Sequence, residues 1–61
     1  MTYFLFWNNI LGKIFAIEGD DDMVMEDAWE EAILVTDDED ELEYIGICSE
    51  NEVDVMGYDV Y

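Results

Sequence analysis

The stretch TYFLFWNNILGKIFAIE, residues 2–18, decides the fold of this 61-residue chain. Its first part, residues 2–7, is rich in aromatic side chains and favours a strand. Asparagines and a glycine follow at 8–12, and Gly12 is free to adopt the positive φ that a turn requires. The apolar run 13–18 then returns as a second strand. The stretch therefore predicts an antiparallel β-hairpin.

Both faces of this hairpin are apolar. Alternation along a strand places Tyr3, Leu5 and Trp7 on one face and Phe4 and Phe6 on the other. The second strand repeats the pattern, with the pair Ile14 and Ala16 opposing the pair Phe15 and Ile17. A single helix covers one face only, so the other needs a second cover. That cover could be another copy of the chain in a homodimer, a partner protein, or the folded-over last strand.

An amphipathic helix is predicted after the hairpin, from about Asp22 to Val35. Gly19 ends the preceding strand, and the three aspartates that follow it offer side chains that cap a helix N-terminus. Apolar residues then recur at the spacing of one helical stripe, which we expect to pack on the sheet with Trp29 buried. The stripe consists of Met25, Ala28, Trp29, Ala32 and Ile33.

Two more strands are predicted in the remainder of the chain. Residues 36–41 read as an acidic loop, and 42–49 as a third strand. Residues 50–52 are expected to form a tight turn before a fourth strand at 53–61, in which Gly57 marks a bulge. The predicted fold class is α+β: a small antiparallel sheet with one amphipathic helix packed on it, in the order β-β-α-β-β.

Size and composition predict a single acidic α+β domain covering residues 1–61. A chain this short buries only about 60% of its unfolded surface, so its core is small. However, 52% of its residues are hydrophobic and 15% are aromatic, which excludes a disordered acidic tail. The chain is therefore expected to fold.

The charge balance excludes several functions. Eighteen acidic residues face one basic residue, Lys13, and the net charge is −17. Direct nucleic-acid binding is disfavoured because it depends on Lys and Arg neutralising phosphates. Anionic lipid headgroups would repel the chain, and no run approaches the ~20 apolar residues of a membrane span. The N-terminal apolar run lacks the features of a signal peptide, so a cytoplasmic location is expected.

The residue types predict neither an enzyme nor a metal or cofactor site. The chain has no histidine, and its single cysteine, Cys48, is expected to have a raised thiol pKa because its flanks are anionic. A calcium-binding loop starting at Glu39 would place Tyr44 where an EF-hand requires glycine. That match fails, and no cofactor is predicted.

Like-charge pairs on the predicted helix point to a partner. Glu26 and Glu30, and likewise Asp27 and Glu31, are four residues apart, and each pair costs about 0.2–0.5 kcal/mol. Side chains at this spacing lie about 5–6 Å apart, similar to the roughly 6–7 Å between successive phosphates of a B-form DNA strand.

In size and charge the chain resembles small acidic phage-encoded inhibitors that mimic DNA, such as anti-restriction, anti-CRISPR and uracil-DNA glycosylase inhibitor proteins. The resemblance rests on the acidic clusters at 20–22, 26–27, 30–31 and 37–41. It implies antiviral defence evasion through protein–protein interaction: the acidic protein would bind a basic, nucleic-acid-binding protein or complex and block that surface. The expected location is then the host cytoplasm, if the protein is phage-encoded. The predicted partner-binding residues are Asp20, Asp21, Asp22, Glu26, Asp27, Glu30, Glu31, Asp37, Asp38, Glu39, Asp40 and Glu41.

Two other interpretations are compatible with the same composition. The chain could be an acidic adaptor or assembly module that binds a basic protein, or a merely solvated structural domain. If the acids make no contact, the apolar hairpin face around Phe4, Phe6, Phe15 and Ile17 becomes the better candidate for partner binding.

Overall fold

The computed structural model describes residues 2–61. Its strands are β1 (Thr2–Asn8), β2 (Lys13–Gly19), β3 (Leu42–Cys48) and β4 (Asp59–Val60), and its helices are α1 (Met25–Thr36) and α2 (Glu50–Met56). A 3-10 turn, Glu39–Glu41, precedes β3. The architecture is α+β, as predicted. The order β-β-α-β-α-β differs from the prediction because a second helix precedes the last strand.

The four strands form one mixed sheet in the order β3-β1-β2-β4. The predicted hairpin is confirmed, with β1 antiparallel to β2 in a register that runs from Thr2 opposite Gly19 to Asn8 opposite Lys13. Gly12 has a φ of 66° in the connecting turn. β3 is antiparallel to β1, whereas β4 pairs parallel to β2. The expectation of a wholly antiparallel sheet is wrong at β4, because a helical crossover returns the chain in the same direction.

Helix α1 covers one face of the sheet. Its Ala28 and Ala32 are fully buried against Phe6 and the other apolar residues of that face. Trp29 is half-buried rather than fully buried, with its ring 6.0 Å from that of Phe6. Met25, predicted to belong to the same stripe, is exposed because it stands at the first turn of the helix.

The start of α1 also differs from the prediction. The helix begins at Met25, three residues after the expected start near Asp22. Val24 is its N-cap, and none of the aspartates at 20–22 serves in that position. Instead, the Asp27 carboxylate accepts a hydrogen bond from the Val24 N–H at 3.5 Å. The first turn is therefore stabilised by an acid inside the helix, which suits the positive pole of the helix dipole.

Helix α2 covers the opposite face. A second cluster of buried residues there consists of Tyr3, Leu5, Ala16 and Val53, of which Val53 belongs to α2. The second cover that the hairpin required is thus provided by the chain's own C-terminal segment. It is a helix and not the folded-over strand, which was one of the three covers expected from the sequence.

The helical conformation of residues 50–56 has local causes. The Ser49 hydroxyl accepts a hydrogen bond from the Glu52 N–H at 3.4 Å, which caps the helix. Gly57 ends it with a φ of 70°, a conformation that glycine adopts at little cost. The predicted turn at 50–52, the strand beginning at Val53 and the bulge at Gly57 are therefore wrong.

Candidate partner-binding surface

Almost every acidic side chain faces solvent. Of the 18 acids, all are exposed except Glu41, which is half-buried. None falls within residues 1–17, so the chain's acids begin at the end of β2. The negative surface is therefore built by the remainder of the chain, around α1, β3 and α2.

The charged residues on the outer side of α1 are all acidic, and the apolar Leu34 is exposed among them. Its exposed acids lie opposite the buried alanines that contact the sheet, and twelve residues of helix extend about 18 Å. No basic residue stands anywhere in the helix. These outer acids are Glu26, Asp27, Glu30 and Glu31.

Two further acidic groups flank α1. Residues 20–22 are exposed in the turn that leads into the helix, and residues 37–40 are exposed after its last turn. We call the exposed acids of these two groups, together with the four on α1, the acidic row. Eleven of the twelve predicted contact residues belong to it.

The C-terminal end of the row is electrostatically unfavourable to the fold. Asp37 adopts the left-handed conformation, with a φ of 59°, and its N–H donates to the Ile33 carbonyl at 2.7 Å. Glycine or asparagine is usual at such a position. Carboxylates there also face the negative pole of the helix dipole, and the last turn contains no basic residue. Asp37 is therefore not explained by helix stability, whereas the Asp38 carboxylate caps the 3-10 turn by accepting a hydrogen bond from the Asp40 N–H at 3.0 Å.

Glu41, the twelfth predicted contact residue, has a structural role. Its carboxylate accepts a hydrogen bond from the Asn9 side chain, with Asn9 Nδ2 and Glu41 Oε2 2.6 Å apart. The Asn9 backbone N–H also donates to the Glu41 carbonyl at 2.9 Å. Glu41 thus ties the hairpin turn to the segment before β3 and is less free for a partner than the rest.

The alternative contact surface proposed from sequence is not accessible. Phe4, Phe6, Phe15 and Ile17 are each 5% exposed or less, because α1 covers them. The apolar residues that do face solvent lie elsewhere and were not singled out from the sequence. They include Ile10, Leu11, Leu34, Ile45, Ile47, Val55 and Met56.

The structure offers few features of a catalytic or metal site. Within residues 2–61, no group of three or more His, Cys, Asp or Glu side chains is placed to hold a metal ion. Burial and, to a lesser degree, the Glu52 carboxylate raise the pKa of the Cys48 thiol. The predicted direction is confirmed, and it leaves the thiol protonated at neutral pH.

No protein-family model, curated protein or solved structure matches this chain. Over residues 2–61, neither helix has the length and apolar character needed to span a membrane.

Proposed function

We propose that this protein is an acidic inhibitor that binds the nucleic-acid-binding surface of a basic protein or complex and blocks nucleic acid from it. The observation that carries the proposal is the acidic row. Its side chains are exposed along and beyond α1 without a basic residue among them. The anti-CRISPR-like or anti-restriction type of DNA mimic is the class that we propose on the resemblance in size and charge.

The energetic argument is that the like-charge pairs and the C-terminal acids of the row lower the stability of the fold, although Asp27 stabilises the first turn of α1. Pairs of like charge at i, i+4 and carboxylates at the helix C-terminus each oppose folding. A surface that served solubility alone would mix both signs of charge. A cationic groove would turn this repulsion into favourable contacts and would accelerate association at low ionic strength.

We further propose that the protein has no catalytic activity and acts in the cytoplasm. It lacks histidine, the commonest general acid or base, and its one thiol has a pKa shifted away from nucleophilic reactivity. The depressions on its surface are open rather than enclosed, which supports recognition of a large surface over binding of a small substrate.

The test compares two charge-reversed variants with the wild type. Glu30→Lys with Glu31→Lys changes the outer side of α1. Asp54→Lys with Asp59→Lys makes the same change in net charge on α2 and β4, away from the row. Each is used as bait in a bacterial lysate, and proteins retained by the wild type and the control but lost by the α1 variant are identified by mass spectrometry.

The captured partner is then titrated with duplex DNA or its guide RNA. We expect nucleic acid and this protein to exclude one another, and the α1 variant to fold but not compete. If both bind the partner together without mutual weakening, nucleic-acid mimicry is excluded. An acidic adaptor that binds a basic protein then becomes the better assignment. Equal loss of binding in both variants would show that total charge, and not the row, is recognised.

A further inference from the structure

Strand β3 forms an open edge of the sheet. In the order β3-β1-β2-β4, its seven residues pair with β1 on one side only. The backbone groups that point away from β1 have no strand partner within residues 2–61. The opposite edge, β4, is only two residues long, and a short edge strand is one of the ways in which proteins prevent unwanted pairing. β3 has no such limit on its length.

Large apolar side chains face solvent along this edge. Ile45 is 48% exposed and Ile47 is 62% exposed. Ile45 is the extra residue of a bulge, because Gly46 pairs with Leu5 and Tyr44 with Phe6. The bulge interrupts the edge at one residue and leaves Ile47 in regular register opposite Phe4. Natural edges are protected by charged side chains, by proline or by a bulge. β3 has a bulge but carries isoleucine, and not a charged residue or proline, at both 45 and 47.

Carboxylates surround both ends of β3. At its start, Asp40, Glu41 and Glu43 line one depression together with Trp7. At its end, Cys48 is paired with Tyr3, whose pKa is raised by burial and then by the nearby Glu18, Glu50 and Asp54 carboxylates. Residues 37–54 contain nine acids and no basic residue. The edge is therefore apolar at its centre and strongly anionic on both sides.

We propose that the β3 edge binds an extended, lysine- or arginine-rich segment of a partner protein by strand addition. The segment would extend the sheet through backbone hydrogen bonds, with its apolar side chains on Ile45 and Ile47 and its cations near the flanking acids. A second copy of the chain fits poorly, because pairing two β3 edges would bring two sets of these acids together. The inference concerns a surface distinct from the α1 acids of the acidic row, although Asp40 of the row is one of the acids that flank β3, and it does not rest on the proposed function.

The test uses three synthetic eight-residue peptides. The probe alternates lysine and valine. The first control has the same sequence with alternate backbone amides N-methylated, which keeps the charge but removes one row of backbone donors. The second alternates aspartate and valine. Binding is measured by calorimetry, and backbone amide exchange of residues 42–48 is followed by NMR in the intact protein.

We expect the lysine–valine peptide to bind, to protect β3 amides from exchange, and to bind at least tenfold more tightly than either control. Ile47→Lys is expected to weaken the peptide at least tenfold. Leu34→Lys is the matched control, because it introduces the same lysine at a position of α1 that is 82% exposed. It should change the affinity for the peptide less than twofold. Glu30→Lys with Glu31→Lys should also leave it within about twofold, which separates this edge from the acidic row.

Three results would overturn the proposal. Equal binding of the N-methylated peptide would show that charge alone holds the segment. Unchanged exchange of β3 amides in the peptide complex would place the contact elsewhere. Self-association of the wild type in sedimentation experiments, abolished by Ile47→Lys, would make a second copy the occupant.

Discussion

Asn9 and Glu41 are joined by a 2.6 Å hydrogen bond between their side chains, although they lie 32 positions apart in sequence. The bond links the turn of the β1–β2 hairpin to the 3-10 turn before β3. It gives one acid of this highly charged chain a defined structural purpose.

Glu41→Ala is therefore expected to lower the free energy of unfolding by about 1 kcal/mol, the typical net contribution of one hydrogen bond. Glu39→Ala removes the same charge from the same 3-10 turn, where Glu39 is exposed. That control should be neutral or slightly stabilising, because it relieves repulsion. Urea denaturation of both variants provides the comparison, and equal effects would mean that the Asn9 bond contributes nothing.

Trp29→Ala is expected to destabilise the protein by about 2–3 kcal/mol, below the ~3–5 kcal/mol of a fully buried tryptophan. The reduction follows from its half-buried position beside Phe6. Leu34→Ala, at an 82% exposed position of the same helix, should change stability by less than about 0.5 kcal/mol. Thermal denaturation followed by circular dichroism distinguishes them. A neutral Trp29→Ala would contradict packing of this ring on the sheet.

Asp37→Gly should stabilise the protein by about 1 kcal/mol, because glycine adopts the left-handed conformation without strain and the change removes a carboxylate from the negative end of α1. Asp37→Ala removes the same charge but retains a Cβ at a φ of 59°, so it should gain less. Chemical denaturation of the pair separates backbone strain from charge. If alanine stabilises as much as glycine, charge is the whole effect.

Ser49→Ala and Gly57→Ala should each lower the free energy of unfolding by about 1 kcal/mol. The first removes the N-cap of α2, and the second introduces backbone strain at the C-terminal end of that helix. A Cβ added at Gly57 would meet no atom within 4 Å, so its cost would come from the backbone φ of 70° alone. Denaturation midpoints measure both effects. Neutral results at both positions would argue against a helix at 50–56.

Stability is expected to fall at alkaline pH. Burial, together with the nearby Glu18, Glu50 and Asp54 carboxylates and Cys48, raises the pKa of Tyr3 above its ordinary value of 10.0. Above that value, the unfolded state loses the Tyr3 proton while the folded state keeps it, so rising pH favours unfolding until the folded-state pKa is passed. Burial also raises the pKa of the Cys48 thiol above its ordinary value of 9.0. Its deprotonation in the unfolded state therefore lowers stability in the same way, beginning about one pH unit below that of Tyr3.

Tyr3→Phe removes the phenol group and with it the part of the alkaline loss of stability that comes from Tyr3. We expect a smaller loss of stability between about pH 9 and 11 than in the wild type, with the remaining loss reduced further by Cys48→Ala. Melting temperatures across this pH range test the sign. A wild-type stability that rises with pH there would contradict it.

The sequence by itself determined the hairpin, the amphipathic character of α1 and the exposure of its acids. These features depend on local patterns: alternation in the first strands, a stripe at helical spacing, and charges too numerous to bury. It also contained the signal for α2, since serine at 49, glutamate three residues later and glycine at 57 is a pattern typical of a capped helix. The alternating valines at 53 and 55 favoured a strand instead.

Only the tertiary structure decided which segment covers the second face of the hairpin, where β4 pairs, and that β3 is left as an open edge. The physical reason is that strand order and helix placement depend on burial between distant segments. Val53 becomes a core residue beside Tyr3 and Leu5 only when the C-terminal helix crosses the sheet. Likewise, Ile45 and Ile47 lie exposed on an edge strand, because residues 2–61 provide no strand beyond β3. No local pattern in residues 42–48 carries that information.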